Sequence, residues 1–257
     1  MTKVVILAGG LGTRLSELTS SIPKPMVPIA GKPILHHIMS LYSNHGFNDF
    51  VIATGYLSSS IKQYFIDYHH QSCDFTVDLS DGSVTNLRSS SKRDWRVTVV
   101  DTGLHTQTGG RLLKLRDILD KDIFMLTYGD GLSNVNIRNL LAFHKRRNTI
   151  CTLTSVRPPA RFGELSLSGH LVTQFQEKPH LDQGWINGGF FVCSPRIFDF
   201  IRDDVMLERE PLSELSSRGQ LSAFRHEGFW QCADTLRDIN QLEALAVAGS
   251  APWLQYD

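Results

Sequence analysis

Apolar and polar positions follow two alternating rhythms through the first part of the chain. Val4-Val5-Ile6-Leu7-Ala8 is an unbroken apolar run ending in glycines, the pattern of a strand buried on both faces. Ile34, Leu35, Ile38, Met39, Leu41 and Tyr42 keep helical spacing, and Gly46 stands where that helix should end. Phe50-Val51-Ile52-Ala53 predicts the next strand, and Ile61, Tyr64, Phe65 and Tyr68 stripe the next helix. Trp95 to Val100 and Ile123 to Thr127 predict further strands. Leu112, Leu115, Ile118 and Leu119 mark a helix opening at Gly109-Gly110, and Ile137, Leu140, Leu141 and His144 mark another. This alternation predicts an α/β fold: a mostly parallel sheet flanked by helices.

Beyond residue 150 the rhythm changes. Gly163 to Gln176 alternates around Ser168-Gly169 and predicts a β-hairpin, and Trp185 to Cys193 predicts one more strand. Ser194-Pro195 and Glu210-Pro211 read as helix starts with proline in the first turn. Thr235-Leu236-Arg237-Asp238 fits a capping box ahead of Leu236, Ile239, Leu242 and Leu245 on one helical face. No repeat or linker interrupts the pattern, so one α/β domain with a mixed insertion is expected over residues 1–257.

Composition narrows the function. The 26 basic and 26 acidic residues balance, which argues against a general nucleic-acid binder. Charges break every apolar stretch before it could span a bilayer, so no membrane partner is expected. The opening Met1-Thr2-Lys3-Val4 has no signal-peptide layout. Cys73, Cys151, Cys193 and Cys232 lie far apart with no metal-ligand spacing, so a reduced, cytoplasmic chain with buried thiols is expected.

The stretch richest in chemistry follows the first strand: Leu7-Ala8-Gly9-Gly10-Leu11-Gly12-Thr13-Arg14-Leu15. Glycines let backbone approach a phosphate chain, consecutive amides make an anion-binding concavity, and ligands of open α/β sheets bind at carboxyl strand ends. A P-loop is excluded because no lysine holds the required place. A dinucleotide fingerprint is excluded by Leu15, and Arg14 would crowd its pyrophosphate; a triphosphate suits this loop better. Lys24 lies between Pro23 and Pro25. Alone it reads equally as a preset counter-charge or a solvated turn lysine; beside the glycine loop the first reading prevails.

Two carboxylates stand out. Asp130, in Tyr128-Gly129-Asp130-Gly131, ends a strand expected beside the first; it reads as a Mg²⁺ ligand or as a turn aspartate. Asp234 precedes the last helix, where Thr235 is the better cap, leaving Asp234 free for the same ion. Glu177-Lys178-Pro179 could hold sugar hydroxyls and a second phosphate, or be a solvated strand end. Asn187-Gly188-Gly189 inside a strand admits close approach of a sugar ring, or a bulge. Thr108-Gly109-Gly110-Arg111 opens a helix whose free amides and arginine offer a second anion or base site. The histidines show no catalytic order; His36-His37, His69-His70 and His144 read as packing residues, and no nucleophile elbow or zinc-protease motif occurs.

The glycine loop followed by Pro23-Lys24-Pro25 resembles the N-terminal pattern of sugar-1-phosphate nucleotidylyltransferases. Thr108-Gly109-Gly110-Arg111-Leu112, Ile186-Asn187-Gly188-Gly189-Phe190-Phe191 and Asp234-Thr235-Leu236-Arg237-Asp238 narrow the resemblance to the glucose-1-phosphate cytidylyltransferase subfamily. It runs from residue 3 to Ala251-Pro252-Trp253 and is weakest over Phe75 to Arg93. It implies a Rossmann-like, glycosyltransferase-A-like sheet. Residues from about 1 to 150 would bind nucleotide, those from about 151 to 235 the sugar, and 236–257 would form the C-terminal helix and tail. It implies transfer of CMP from CTP to α-D-glucose 1-phosphate with Mg²⁺, in a homo-oligomer whose product feeds deoxysugars of bacterial surface polysaccharides such as O-antigen.

Joined to that resemblance, the residues take roles. Leu7 to Thr13 and Arg14 would hold the triphosphate and Lys24 the α-phosphate, with Thr108, Gly110 and Arg111 bordering the nucleotide. Asp130 and Asp234 would bind the metal, and Arg14, Lys24 and Asp130 would be catalytic. Tyr128, Gly129, Glu177, Lys178, Asn187 and Gly189 would meet the sugar phosphate. The rivals are the same reaction with UTP, dTTP or GTP, and a non-catalytic nucleotide-binding regulatory subunit.

Overall fold

A computed structural model of the chain describes residues 2–68, 73–89, 93–158, 164–176 and 184–255. The opening apolar run forms β1 (Lys3–Ala8), and its period of two places Val4 and Ile6 in a core on one face and Val5 and Leu7 in a core on the other. The chain continues through α1 (Ile34–Asn44), β2 (Asp49–Thr54), α2 (Ser58–Ile66), β3 (Arg96–Asp101), α3 (Thr108–Leu113), β4 (Phe124–Tyr128) and α4 (Ile137–Arg147). The second half supplies β5 (Cys151–Val156), β6 (Ile186–Cys193), α5 (Glu210–Ser217), β7 (Leu221–His226) and α6 (Leu236–Val247).

These strands make one seven-stranded sheet in the order β7-β5-β6-β4-β1-β2-β3. The pairs β1–β2, β1–β4 and β2–β3 are parallel, as the alternating pattern predicts; β5–β7 is parallel too, and β6 runs antiparallel to both β5 and β4. Lys3 and Asp49 sit opposite each other in register and form a 2.9 Å ion pair. The expected hairpin is present as Glu164–Ser168 against Leu171–Gln176, and another pairs Cys73–Val77 with Val84–Ser89. The capping box at Thr235 and Asp238 is formed on both sides.

Two expectations need adjustment. The helix predicted through Leu119 is interrupted into α3 and a one-turn α-helix at Arg116–Leu119, because Leu115 N bonds back to Leu112 O in a tighter three-residue step. β5 left little apolar signal because it carries Thr152 and Thr154, both fully buried. Thr152 is satisfied by Ser222 at 2.7 Å and by His144 Nδ1 at 2.8 Å, which explains the buried histidine of α4. His36 and His37 are buried within α1, as expected of packing residues, while His69 and His70 lie outside the described residues.

Candidate active site

A cavity of about 720 Å³ opens at the carboxyl ends of β1 and β4. Most expected site residues line it together: Leu7 to Gly10, Gly12, Thr13, Arg14, Lys24, Thr108, Arg111, Tyr128, Gly129, Asp130, Asn187, Gly189 and Asp234. Leu11 and Gly110 do not, and Glu177 and Lys178 lie outside the described residues.

The electrostatic centre is Lys24. Pro23 starts a single 3-10 turn, Lys24–Met26, which turns the lysine inward. Its ammonium lies 2.6 Å from Asp130 and 2.5 Å from Asp234, with the side chain only 13% exposed, so it is no solvated turn lysine. The carboxylates are far apart in sequence and meet because Trp230–Cys232 pairs antiparallel with Gly131–Ser133, with Cys232 opposite Gly131. Ala233 N donates to Asp130 O at 2.8 Å and closes this joint. Burial opposes the charge on Lys24, but Asp130 beside it and the hydrogen bonds to both carboxylates outweigh that and raise its pKa. Burial likewise works against ionised Asp234, yet Lys24 and Arg14 hold it below the usual carboxylate range. Arg14, well exposed, pairs with Asp234 at 2.9 Å.

Three of these groups are close enough together that they could hold a cation. Asp130, Cys232 and Asp234 each offer a donor atom, all within 4.8 Å of one another, and the Lys24 ammonium already exploits the negative field of the two carboxylates. Two carboxylates fit a hard divalent ion; a thiol is not among its usual ligands. The cysteines have no metal-ligand spacing in sequence, and the fold brings Cys232 alone among them beside the two carboxylates within the described residues. Cys232 ends the short strand Trp230–Cys232, two residues before Asp234.

Arg111 needs a second correction. It does not present its guanidinium as a free anion site: only 4% of the residue is exposed, and every contact is internal. It donates to Gly9 O at 2.9 Å, Thr54 O at 3.0 Å, Thr102 Oγ1 at 2.7 Å, Gly103 O at 2.8 Å and Leu104 O at 3.3 Å. It thus ties together the ends of β1, β2 and β3. Gly9 is glycine for this reason, since a Cβ there would stand 2.1 Å from the Arg111 Nη1. The amides of Gly109 and Gly110 are not free either; both donate to Val205 O, at 2.9 and 3.3 Å. The predicted anion site at the start of α3 is an internal joint.

On the opposite wall, Gly189 adopts a φ of +80°, and a Cβ there would meet Tyr128 Cδ2 at 2.5 Å. Asn187 Oδ1 accepts Gly189 N at 2.9 Å, and Trp230 Nε1 donates to Gly188 O at 2.8 Å. The β5–β6 register shifts between Leu153 and Ser155, so the irregularity foreseen at Asn187-Gly188-Gly189 exists and faces the cavity. Burial, with Glu208 next in effect, raises the Tyr128 pKa and keeps its hydroxyl a donor. Trp230, Gln231 and Cys232 line the cavity without having been assigned from sequence.

A family model described as "Nucleotidyl transferase" matches residues 3–230. The chain belongs to this family. Among nucleotidyl transferases, it is 47% identical over 257 residues to the glucose-1-phosphate cytidylyltransferase of Salmonella typhi, covering 99% of this chain and 100% of that protein. It is 41% identical over 253 residues to a Bacillus subtilis protein named "Probable glucose-1-phosphate cytidylyltransferase", covering 98% of each chain. The crystal structure of HddC from Yersinia pseudotuberculosis superposes with a TM-score of 0.70 at 23% identity, covering 95% of this chain and 99% of that one, a match of fold.

Proposed function

We propose that the chain transfers CMP from CTP to α-D-glucose 1-phosphate, forming CDP-glucose and pyrophosphate. The observation that carries this reading is the 47% identity to the Salmonella typhi cytidylyltransferase along 99% of the chain. The cavity supports the chemistry with a glycine loop, a part-buried lysine and two carboxylates converging on one space.

In this reaction an oxygen of the sugar phosphate forms a bond to the α-phosphorus, and the bond to the β-phosphate breaks as pyrophosphate departs. The attacking group has a second pKa of about 6 and is already anionic near neutral pH, so it needs no protein base. The obstacle is anion attacking polyanion, and the protein's task is positioning and charge neutralisation. The Gly9 to Thr13 amides and Arg14 hold the triphosphate, and Lys24 faces the α-phosphate. Asp130 and Asp234 would hold Mg²⁺, which supplies charge neutralisation along the phosphate chain when bound. Tyr128, Gly129, Asn187 and Gly189 form the sugar side, joined by Glu177 and Lys178. The parts divide at about residue 150, with the helix and tail from 236 closing the domain.

The wider reading is a cytoplasmic homo-oligomer. No helix among the described residues is long and apolar enough to cross a membrane. Leu165, Leu167, Leu171, Val172 and Phe175, on the Glu164–Gln176 hairpin, are each more than half exposed, which supports a second copy covering them. Pyrophosphate release with glucose 1-phosphate and each of CTP, UTP, dTTP and GTP tests the function. Release with CTP and loss on chelation are expected. Release only with another triphosphate overturns the cytosine assignment; none with any favours a regulatory subunit.

A further inference from the structure

Outside the Lys24 cluster, the carboxylate with the most consequential contacts is Glu208, which no sequence pattern marks. It lies on the connection preceding α5, which docks on the start of α3: Leu207 N donates to Thr108 Oγ1 at 2.9 Å, and Gln107 N donates to Asp204 Oδ1 at 2.7 Å. One Glu208 oxygen accepts the Thr108 hydroxyl at 2.6 Å; the other accepts the Tyr128 hydroxyl. Asn187 Nδ2 reaches the same Tyr128 hydroxyl at 3.3 Å. The Tyr128 ring packs edge-to-face on Phe191 at 5.7 Å and against the Gly189 backbone.

Resting on the function proposed above, we propose that Glu208 is a positioning residue for the sugar-phosphate side of the site. It touches no reacting atom. A hydrogen bond to a carboxylate is about twice as strong as one between neutral groups, so Glu208 fixes the outer end of the Tyr128 ring. The ring in turn braces Asn187 and Gly189, which line the cavity. Without the carboxylate, the Tyr128 hydroxyl retains among the described residues only the long contact from Asn187, and that wall loses its fixed shape. Among the described residues the triphosphate loop and the Lys24 cluster make no contact with Glu208, and Thr108, expected beside the nucleotide, stays held by Leu207 N at 2.9 Å, so the larger effect falls on the sugar-phosphate side.

Steady-state kinetics of Glu208→Ala and Glu208→Gln test this, with each substrate varied in turn and whichever nucleoside triphosphate supports turnover. The alanine variant should raise KM for glucose 1-phosphate about tenfold, the weight of one charge-assisted hydrogen bond, with kcat and the nucleotide KM within about twofold. Glutamine keeps an acceptor oxygen and should restore much of the loss. Tyr128→Phe in the Glu208→Ala background should add little, because the same contact is already gone. Calorimetric titration of glucose 1-phosphate reads the same contact without turnover. An unchanged sugar-phosphate affinity, or equal losses in every parameter that track a lowered Tm, overturns the proposal. Failure of CTP as substrate would overturn the cytosine assignment instead and leave this comparison intact.

Discussion

Replacing Arg111 with methionine separates an internal brace from a ligand contact. The guanidinium donates to four backbone carbonyls and a threonine hydroxyl where β1, β2 and β3 end. Not every acceptor is orphaned when it goes. Gly9 O keeps Tyr56 N at 3.2 Å, and Thr54 O keeps Thr102 N at 2.9 Å and Thr102 Oγ1 at 2.7 Å. Gly103 O and Leu104 O have no other donor among the described residues. A buried polar group left unpaired costs roughly 1–3 kcal/mol, but Leu104 is 45% exposed and water can reach its carbonyl, so only the half-buried Gly103 O counts substantially, at about 1–3 kcal/mol. Burying a cation is itself unfavourable, and removing it returns part of that, leaving a loss of ~2 kcal/mol. For a chain of this size that lowers Tm by roughly 4–8 °C. Urea unfolding followed by circular dichroism gives the stability, and pyrophosphate release gives the nucleotide KM, which should rise because the Gly9 end of the loop loosens. Arg111→Lys should recover only part, since an ammonium cannot reach acceptors spread around a planar fork. A stability loss below ~1 kcal/mol with collapsed activity would refute the brace and place the guanidinium on the substrate.

Other expectations rest on the proposed function and on the described geometry. Asp130→Ala should abolish turnover and weaken divalent-cation binding while the circular dichroism spectrum is retained; normal turnover removes Asp130 from the ion. Lys178→Ala should mainly raise KM for the sugar phosphate, and an unchanged value removes Lys178 from that role. His36 is buried against Tyr64, Tyr68 and Trp95, and burial, helped by Lys32, His37 and Arg93, pushes its pKa down to about 3. Burial lowers His144 and His226 too. The unfolded chain therefore takes up these protons first, near pH 6.5, and the stability from neutral His36 is complete above that value. It drains as pH falls toward about 3, by at most ~1.4 kcal/mol per pH unit. Urea midpoints should fall between about pH 7.5 and about pH 5, with a shallower slope in His36→Gln; flat midpoints would contradict this.

Much of this protein is written locally. The run Val4 to Ala8 specifies a strand buried on both faces because consecutive side chains point to opposite sides, each of which needs an apolar residue. The glycine loop, Lys24 between its prolines, and Asp234 beside a better cap each carry their chemistry in residue type and spacing. What spacing cannot carry is partnership. That Asp130 meets Asp234 depends on two three-residue strands, Gly131–Ser133 and Trp230–Cys232, too short to leave a periodic signal. The fate of Arg111 was decided by carbonyls from three strand ends, and that of the α3 amides by Val205 on a distant connection. The same residue types would have read identically with solvent in front of them. Cys232 and Glu208 illustrate the limit: a thiol two residues from a carboxylate and a glutamate before a helix are ordinary in sequence. Only long-range packing brings the thiol beside the carboxylates and the glutamate under a tyrosine on the cavity wall. Local sequence set the elements and the chemical groups, because propensity and periodicity act over a few residues. Tertiary structure decided which charges are spent internally and which remain for substrate, because that depends on what the folded chain places within hydrogen-bond reach.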